Sequence, residues 1–181
     1  MRSDEYFVSS DNSEIGIKRR DVRTESPLSV IEIKGLVDVI EPGVALYNGN
    51  AGFERWIKWT CSGIDLSAGC SLHVNKTRWL RKFSICGQIV TEIPLNRKEK
   101  PADATVALPL EGCNVELTKV TWDEGRGAEW FTVGFEAFGA LGSVELNLRQ
   151  TSEHLKLRTL LGLSTEHLMN YPKWLRMLTN Q

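Results

Sequence analysis

The sequence predicts a mainly β fold, an antiparallel barrel or sandwich followed by C-terminal helices. Three observations predict it. Runs with a two-residue side-chain period recur at short spacing from residue 14 to residue 138. Two of these runs, 114–122 and 130–138, flank a Gly-containing link at 123–129 and read as a hairpin. After Gly139 the period changes to that of a helix.

The bulk numbers narrow the class. A chain of 181 residues is long enough for one domain with a real core. Its 22 Lys+Arg and 23 Asp+Glu leave a net charge of -1, so no global field attracts nucleic acid or an anionic membrane. The composition, 41% hydrophobic and 25% charged, is that of ordinary globular protein. Cys61, Cys70, Cys86 and Cys113 have no CxxC spacing and no neighbouring pair of histidines. They read as small thiols and not as a zinc site, with Cys61 and Cys70 available for a bridge only in an oxidising compartment. No apolar run follows Met1-Arg2-Ser3-Asp4-Glu5, and no stretch approaches the ~20 apolar residues of a membrane span. The expectation is a soluble, cytoplasmic protein.

In chain order, residues 1–12 are polar and lack periodicity, and read as a loose terminus. Residues 14–20 alternate, with Glu14, Gly16, Lys18 and Arg20 on one face and Ile15, Ile17 and Arg19 on the other. In 29–39, Ile31, Ile33, Gly35, Val37 and Val39 form an apolar face against Val30, Glu32, Lys34 and Leu36. Glu41-Pro42-Gly43 marks a turn, and 47–53 a Gly/Asn-rich loop. The strand at 54–60 sets Glu54, Trp56 and Lys58 against Arg55, Ile57 and Trp59. A long strand at 71–84 sets Lys76, Arg78, Leu80 and Lys82 against Asn75, Thr77, Trp79, Arg81 and Phe83. Neither of these two strands has a clean apolar face. Residues 87–95 form a further strand with Ile89, Thr91 and Ile93 in phase, and 96–104 a charged, Pro-marked loop. A helix begins at Ser143 as N-cap, with Val144, Leu146, Leu148, Thr151 and Leu155 along it, and ends by Gly162. A second begins at Ser164 and continues through Leu168, Tyr171, Leu175 and Leu178, where Pro172 must bend or delay it. The organisation is therefore a terminus at 1–12, one β domain with a packed helix at 13–162, and a helical tail at 163–181.

Charged residues inside the strands carry the chemistry. They are Glu14, Lys18, Glu32, Lys34, Glu54, Lys58, Arg78, Lys82, Glu116 and Glu136, and acids share faces with bases. An outer sheet face with cross-strand ion pairs, each worth ~0.2–1 kcal/mol, produces that pattern. So does a wet interior lined by the same groups. Lys18, Lys34, Lys58, Arg78 and Lys82 would then hold phosphate oxygens, and Glu14, Glu32, Glu116 and Glu136 a divalent cation. Trp59, Trp79 and Phe83 read as packing residues. Phosphate-loop and dinucleotide motifs are missing, and His73, His154 and His167 are scattered.

The strand order resembles the CYTH family, the triphosphate tunnel metalloenzymes. Glu14-Ile15-Gly16-Ile17-Lys18 resembles the family's opening Glu-x-Glu-x-Lys strand, with Gly16 in place of the middle acid. Glu32-Ile33-Lys34 is a second partial match, Arg78 and Lys82 resemble its basic strands, and Glu116 and Glu136 its late acidic strands. The resemblance, over about residues 13 to 155, implies an eight-stranded antiparallel barrel or tunnel. It implies binding, and hydrolysis, of a triphosphate-containing compound (inorganic, nucleoside or thiamine triphosphate) with Mg²⁺ or Mn²⁺. The partner would be an anionic phosphate-containing small molecule, with no nucleic acid and no membrane, and a homo-oligomer is compatible with it. The rival reading is a non-enzymatic barrel or sandwich that binds an apolar ligand or a protein. A third is an assembly subunit that docks through residues 172–178.

Overall fold

The alternating runs become strands where side chains can pair across them. The computed structural model describes residues 2–8, 12–20, 30–40, 53–62, 71–122, 128–155 and 169–179. The strands are β1 (Arg2–Phe7), β2 (Ile15–Arg19), β3 (Ile31–Ile40), β4 (Phe53–Cys61), β5 (Ser71–Cys86), β6 (Ile89–Ile93), β7 (Gly112–Trp122) and β8 (Trp130–Phe138). The helices are α1 (Val144–Leu155) and α2 (Tyr171–Thr179). The architecture is thus mainly β sheet with two helices, as the alternation implied. The strands form one eight-stranded sheet in the order β4-β3-β2-β1-β5-β7-β8, with β6 on β5. Its registers from β1 to β6 are antiparallel. Among the described residues the order ends at β4 and β8 without closing on itself.

Residues 1–12, expected as a loose terminus, hold β1, which pairs with β2 on one side and β5 on the other. Its buried side chains are Ser3, Asp4 and Tyr6, so polar groups carry its burial and no apolar alternation announces it.

The chain divides into two compact units. The first comprises Met1–Thr77, Val120–Glu129 and Leu163–Gln181. Its core is Tyr6, Ile31, Leu72, Val74, Val120, Trp174, Leu175 and Leu178. Helix α2 supplies the last three of these, and Trp174 meets Trp122 edge-on at 6.5 Å. Pro172 falls in the first turn of this helix, where its missing N–H costs no hydrogen bond. Asn170 caps it: its Oδ1 accepts from the Lys173 N–H at 2.9 Å. The capping position read at Ser164 lies outside the described residues.

The second unit comprises Arg78–Lys119 and Trp130–Gly162. Phe83, Ile85, Ile93, Cys113 and Val115 form its core. The start of β7 lies very close to β5: a Cβ on Gly112 would stand 2.0 Å from the Phe83 carbonyl oxygen. Helix α1 begins where Ser143 predicts, with the Asn147 N–H donating to the Ser143 carbonyl at 2.8 Å. Of the residues read along it, Thr151 is buried. Asn147, Thr151 and Ser152 are inside, and Leu146 is 52% exposed. Buried polar groups there have partners. Asn147 Nδ2 donates to Glu111 and to the Phe138 carbonyl, both at 3.0 Å, and Thr151 Oγ1 to the Asn147 carbonyl at 2.9 Å.

The aromatics separate similarly. Phe83 is fully buried, but Trp59 and Trp79, read as packing residues, are 52% and 51% exposed.

Candidate functional site

Strand pairing gathers the charged positions of the first unit onto one sheet face. Lys18 lies opposite Tyr6 on β1 and Glu32 on β3. Glu32 lies opposite Thr60, and Lys34 lies between Gly16 and Lys58. Cα partners share a face, so Tyr6, Lys18, Glu32 and Thr60 form one row and Gly16, Lys34 and Lys58 the next. Helix α2 lies on this same face. The Tyr171 ring stacks on Tyr6 at 5.8 Å, and a Cβ on Gly16 would meet Pro172 Cγ at 3.2 Å. That contact gives a steric reason for glycine at position 16, where the resembling family carries an acid.

Beneath the helix the charges form a buried network. Asp4 is fully buried and Glu32 4% exposed. Lys18 Nζ stands 3.3 Å from both carboxylates. Arg2 approaches Asp4 at 2.9 Å, and Arg20 approaches Glu32 at 3.4 Å. Burial opposes the charge on Glu32, but Lys18, Arg20 and Lys34 outweigh it and hold the carboxyl below its usual range. Burial also lowers Lys18, against the pull of Asp4 and Glu32. Beside this network Lys76 Nζ donates to Tyr6 Oη at 2.6 Å and lies over two rings, 3.8 Å from the centre of Tyr171 and 4.8 Å from that of Tyr6. Burial raises the Tyr6 phenol well above its ordinary value, so the hydroxyl stays neutral beside the ammonium.

The second unit holds the other two predicted cations. Arg78 donates from Nη1 to Glu116 at 3.2 Å and from Nε to Glu99 at 3.0 Å, with a second contact from Nη2 to Glu99. Burial works against its charge, but the hydrogen bond and fields of Glu99 and Glu116 raise its pKa. Thr118 donates to the other oxygen of Glu116 at 3.0 Å. Lys82 Nζ donates to Asn114 Oδ1 at 2.6 Å and lies 4.7 Å from the Phe138 ring centre. Burial lowers it, and Glu136 opposes that shift.

The five predicted phosphate ligands are therefore divided. Lys18, Lys34 and Lys58 share a face in the first unit, and Arg78 and Lys82 belong to the second. The four predicted metal ligands are divided likewise, Glu14 and Glu32 in the first unit and Glu116 and Glu136 in the second. Glu14 and Glu136 are exposed, Glu32 is engaged by Lys18 and Arg20, and Glu116 by Arg78. Among the described residues no three His, Cys, Asp or Glu side chains form a group that could hold a metal ion.

Arg2, Asp4, Tyr6, Lys76 and Tyr171 belong to the network and escaped the reading of the sequence. The one signal available was position: Asp4 and Tyr6 are two apart, as strand neighbours on one face must be. Across the face the cations Arg2, Lys18, Arg20, Lys34, Lys58 and Lys76 outnumber the acids Asp4, Glu14, Glu32 and Glu54 among the described residues. The cleft beside α2, lined by Phe7, Ile15, Gly16, Pro172 and Leu175, carries no cation. Among the described residues no helix is long and apolar enough to cross a membrane. Compared with protein-family models, with curated proteins and with solved structures, the chain matches none.

Proposed function

We propose that the chain binds a phosphate-rich anion, of the triphosphate class, on the charged face of its first unit. The observation that carries this reading is the placement of Lys34 directly opposite Lys58. Like charges facing each other on neighbouring strands destabilise a sheet. An anion spanning the two ammonium groups turns that repulsion into attraction. The buried network supports the same reading, because three cations there, Arg2, Lys18 and Arg20, approach two carboxylates, Asp4 and Glu32. The Thr60 hydroxyl, one row from Lys58, adds a neutral donor. Arg78 and Lys82 enter this reading only as a secondary set, since Glu99, Glu116 and Asn114 already hold them.

Closure of the strands into a tunnel around the anion is the finer form of the proposal. It requires strand pairing beyond that of the described residues. Metal-dependent hydrolysis is its further extension. A protein-binding module is the second reading, and the exposure of Ile57 and Trp59 on the face opposite Lys58 favours it.

A melting series tests the binding claim. Tripolyphosphate added to the full chain raises Tm by an amount that grows with the logarithm of its concentration, and added salt reduces the effect. Orthophosphate at the same ionic strength has a smaller effect. A Tm indifferent to tripolyphosphate up to millimolar concentration removes the proposal. Phosphate release with and without Mg²⁺ tests the hydrolytic extension separately.

A further inference from the structure

Strand β4 is the end of the strand order, paired on one side with β3. Among the described residues its other edge pairs with no strand. Such an edge presents a row of backbone N–H and C=O groups that another strand can complete. Glu54, Arg55, Ile57, Lys58, Trp59 and Thr60 are all exposed along it.

The charges on this edge are self-complementary. Glu54 and Lys58 share a face and stand equally far from Trp56 on either side. Suppose two copies of β4 pair antiparallel about a two-fold axis at Trp56. Each Glu54 then faces the other copy's Lys58, and the two Trp56 side chains face each other. The axis cannot fall midway between Trp56 and Ile57, because that would pair residues of opposite faces such as Arg55 and Lys58. An axis at Ile57 puts Glu54 opposite Thr60 and Lys58 opposite Trp56, and pairs no opposite charges. The Glu54 carboxylate is also held in position by neutral donors, Trp56 Nε1 at 2.8 Å and Asn170 Nδ2 at 3.0 Å, which leave its charge available.

We propose that β4 is a homodimerisation edge and that a second copy of the chain pairs with it antiparallel, in the register centred on Trp56. On the opposite face this register sets Arg55 against Ile57 and joins the exposed Ile57 and Trp59 of both copies into one apolar surface. The proposal shares Lys58 with the phosphate reading and excludes its closed-tunnel form, since both use the β4 edge, but its test needs no phosphate.

Light scattering on the full chain across a concentration series tests it. The wild type is a dimer. Glu54→Lys and Lys58→Glu each set like charges against each other and weaken the dimer about tenfold or more. The double reversal, Glu54→Lys with Lys58→Glu, restores it. Both positions are exposed, and circular dichroism checks that each variant is folded. The register has its own readout. Under mild oxidation Trp56→Cys gives a disulfide-linked dimer above the background of the parent cysteines, because directly opposed Cα atoms lie within about 4.5–5.5 Å. Ile57→Cys stays at that background. A monomer at every concentration overturns the proposal. So does a dimer indifferent to both single reversals, or stronger cross-linking at Ile57→Cys than at Trp56→Cys.

Discussion

Asp4 is fully buried, yet it accepts from Arg2 at 3.0 Å and from Lys18 at 3.3 Å. A buried ion pair is a weak source of net stability, but removing one member leaves an uncompensated charge inside. Asp4→Ala therefore destabilises the chain by about 3–5 kcal/mol, read by urea unfolding. A loss below about 1 kcal/mol, the size of a surface pair, contradicts the burial of the network. Glu32 adds a pH dependence. Its folded pKa lies below the ordinary 4.5, so the unfolded chain binds the extra proton between the two values. Its contribution is present above pH 4.5 and is lost as pH falls through the depressed folded value. Glu32→Gln removes that part of the acid destabilisation, which melting curves from pH 6 downward detect. Cysteine chemistry gives a third residue-scale test. Burial pushes the Cys113 thiol up to about 12, while Cys86 is exposed. An alkylating reagent at pH 8 labels Cys86 and spares Cys113 in the folded protein, because the thiolate is the reactive form. Equal labelling contradicts the packing of Cys113.

The long strands explain why their hydropathy was hard to read. In β5, Leu72, Val74 and Lys76 are buried in the first unit, and Phe83 and Ile85 in the second. The buried positions change from even to odd along one strand, so no single face of 71–84 is apolar throughout. β7 changes phase likewise, from Cys113 and Val115 to Thr118 and Val120. The hairpin, the helix around Pro172 and the N-cap at Ser143 were legible because turn chemistry and proline geometry are local. β1 was not, because its buried face is Asp4 and Tyr6, and a charge carries no hydrophobic period. Two element-scale predictions follow from close contacts. Gly112→Ala drives a Cβ into the Phe83 carbonyl and destabilises by about 3 kcal/mol or more, the top of the range for overpacking. Asn170→Ala removes the cap of α2 and costs about 1 kcal/mol. Urea midpoints measure both, and an unchanged midpoint at Gly112→Ala contradicts the β5–β7 approach.

At the scale of the molecule, the sequence showed that acids and bases share strand faces but not which way those faces turn. Alternation assigns a side chain to one of two faces, and only pairing decides which is covered. In the first unit the charged face is covered in part: Asp4, Tyr6, Glu32 and Lys76 are buried on it, as Ile31 is on the other face. Glu32 is buried beneath it, while Val37 and Val39, on the face read as apolar, are 56% exposed beyond a register shift at Leu36/Asp38. The candidate carboxylates were legible as residues, but the ion pairs that engage Glu32 and Glu116 were not, since contacts between strands depend on registers that no single strand encodes. The proposed ligand face is then the charged face of the first unit, with Lys34 opposite Lys58 at its β4 edge.

Calorimetric titration of tripolyphosphate into the full chain, side by side with the Lys34→Gln/Lys58→Gln double variant, tests that claim most directly. The wild type binds with an affinity that falls linearly as log salt rises, and the double variant loses about tenfold or more while keeping its urea midpoint or raising it, because the facing charges are gone. Equal binding by both proteins, or none by either, contradicts the account.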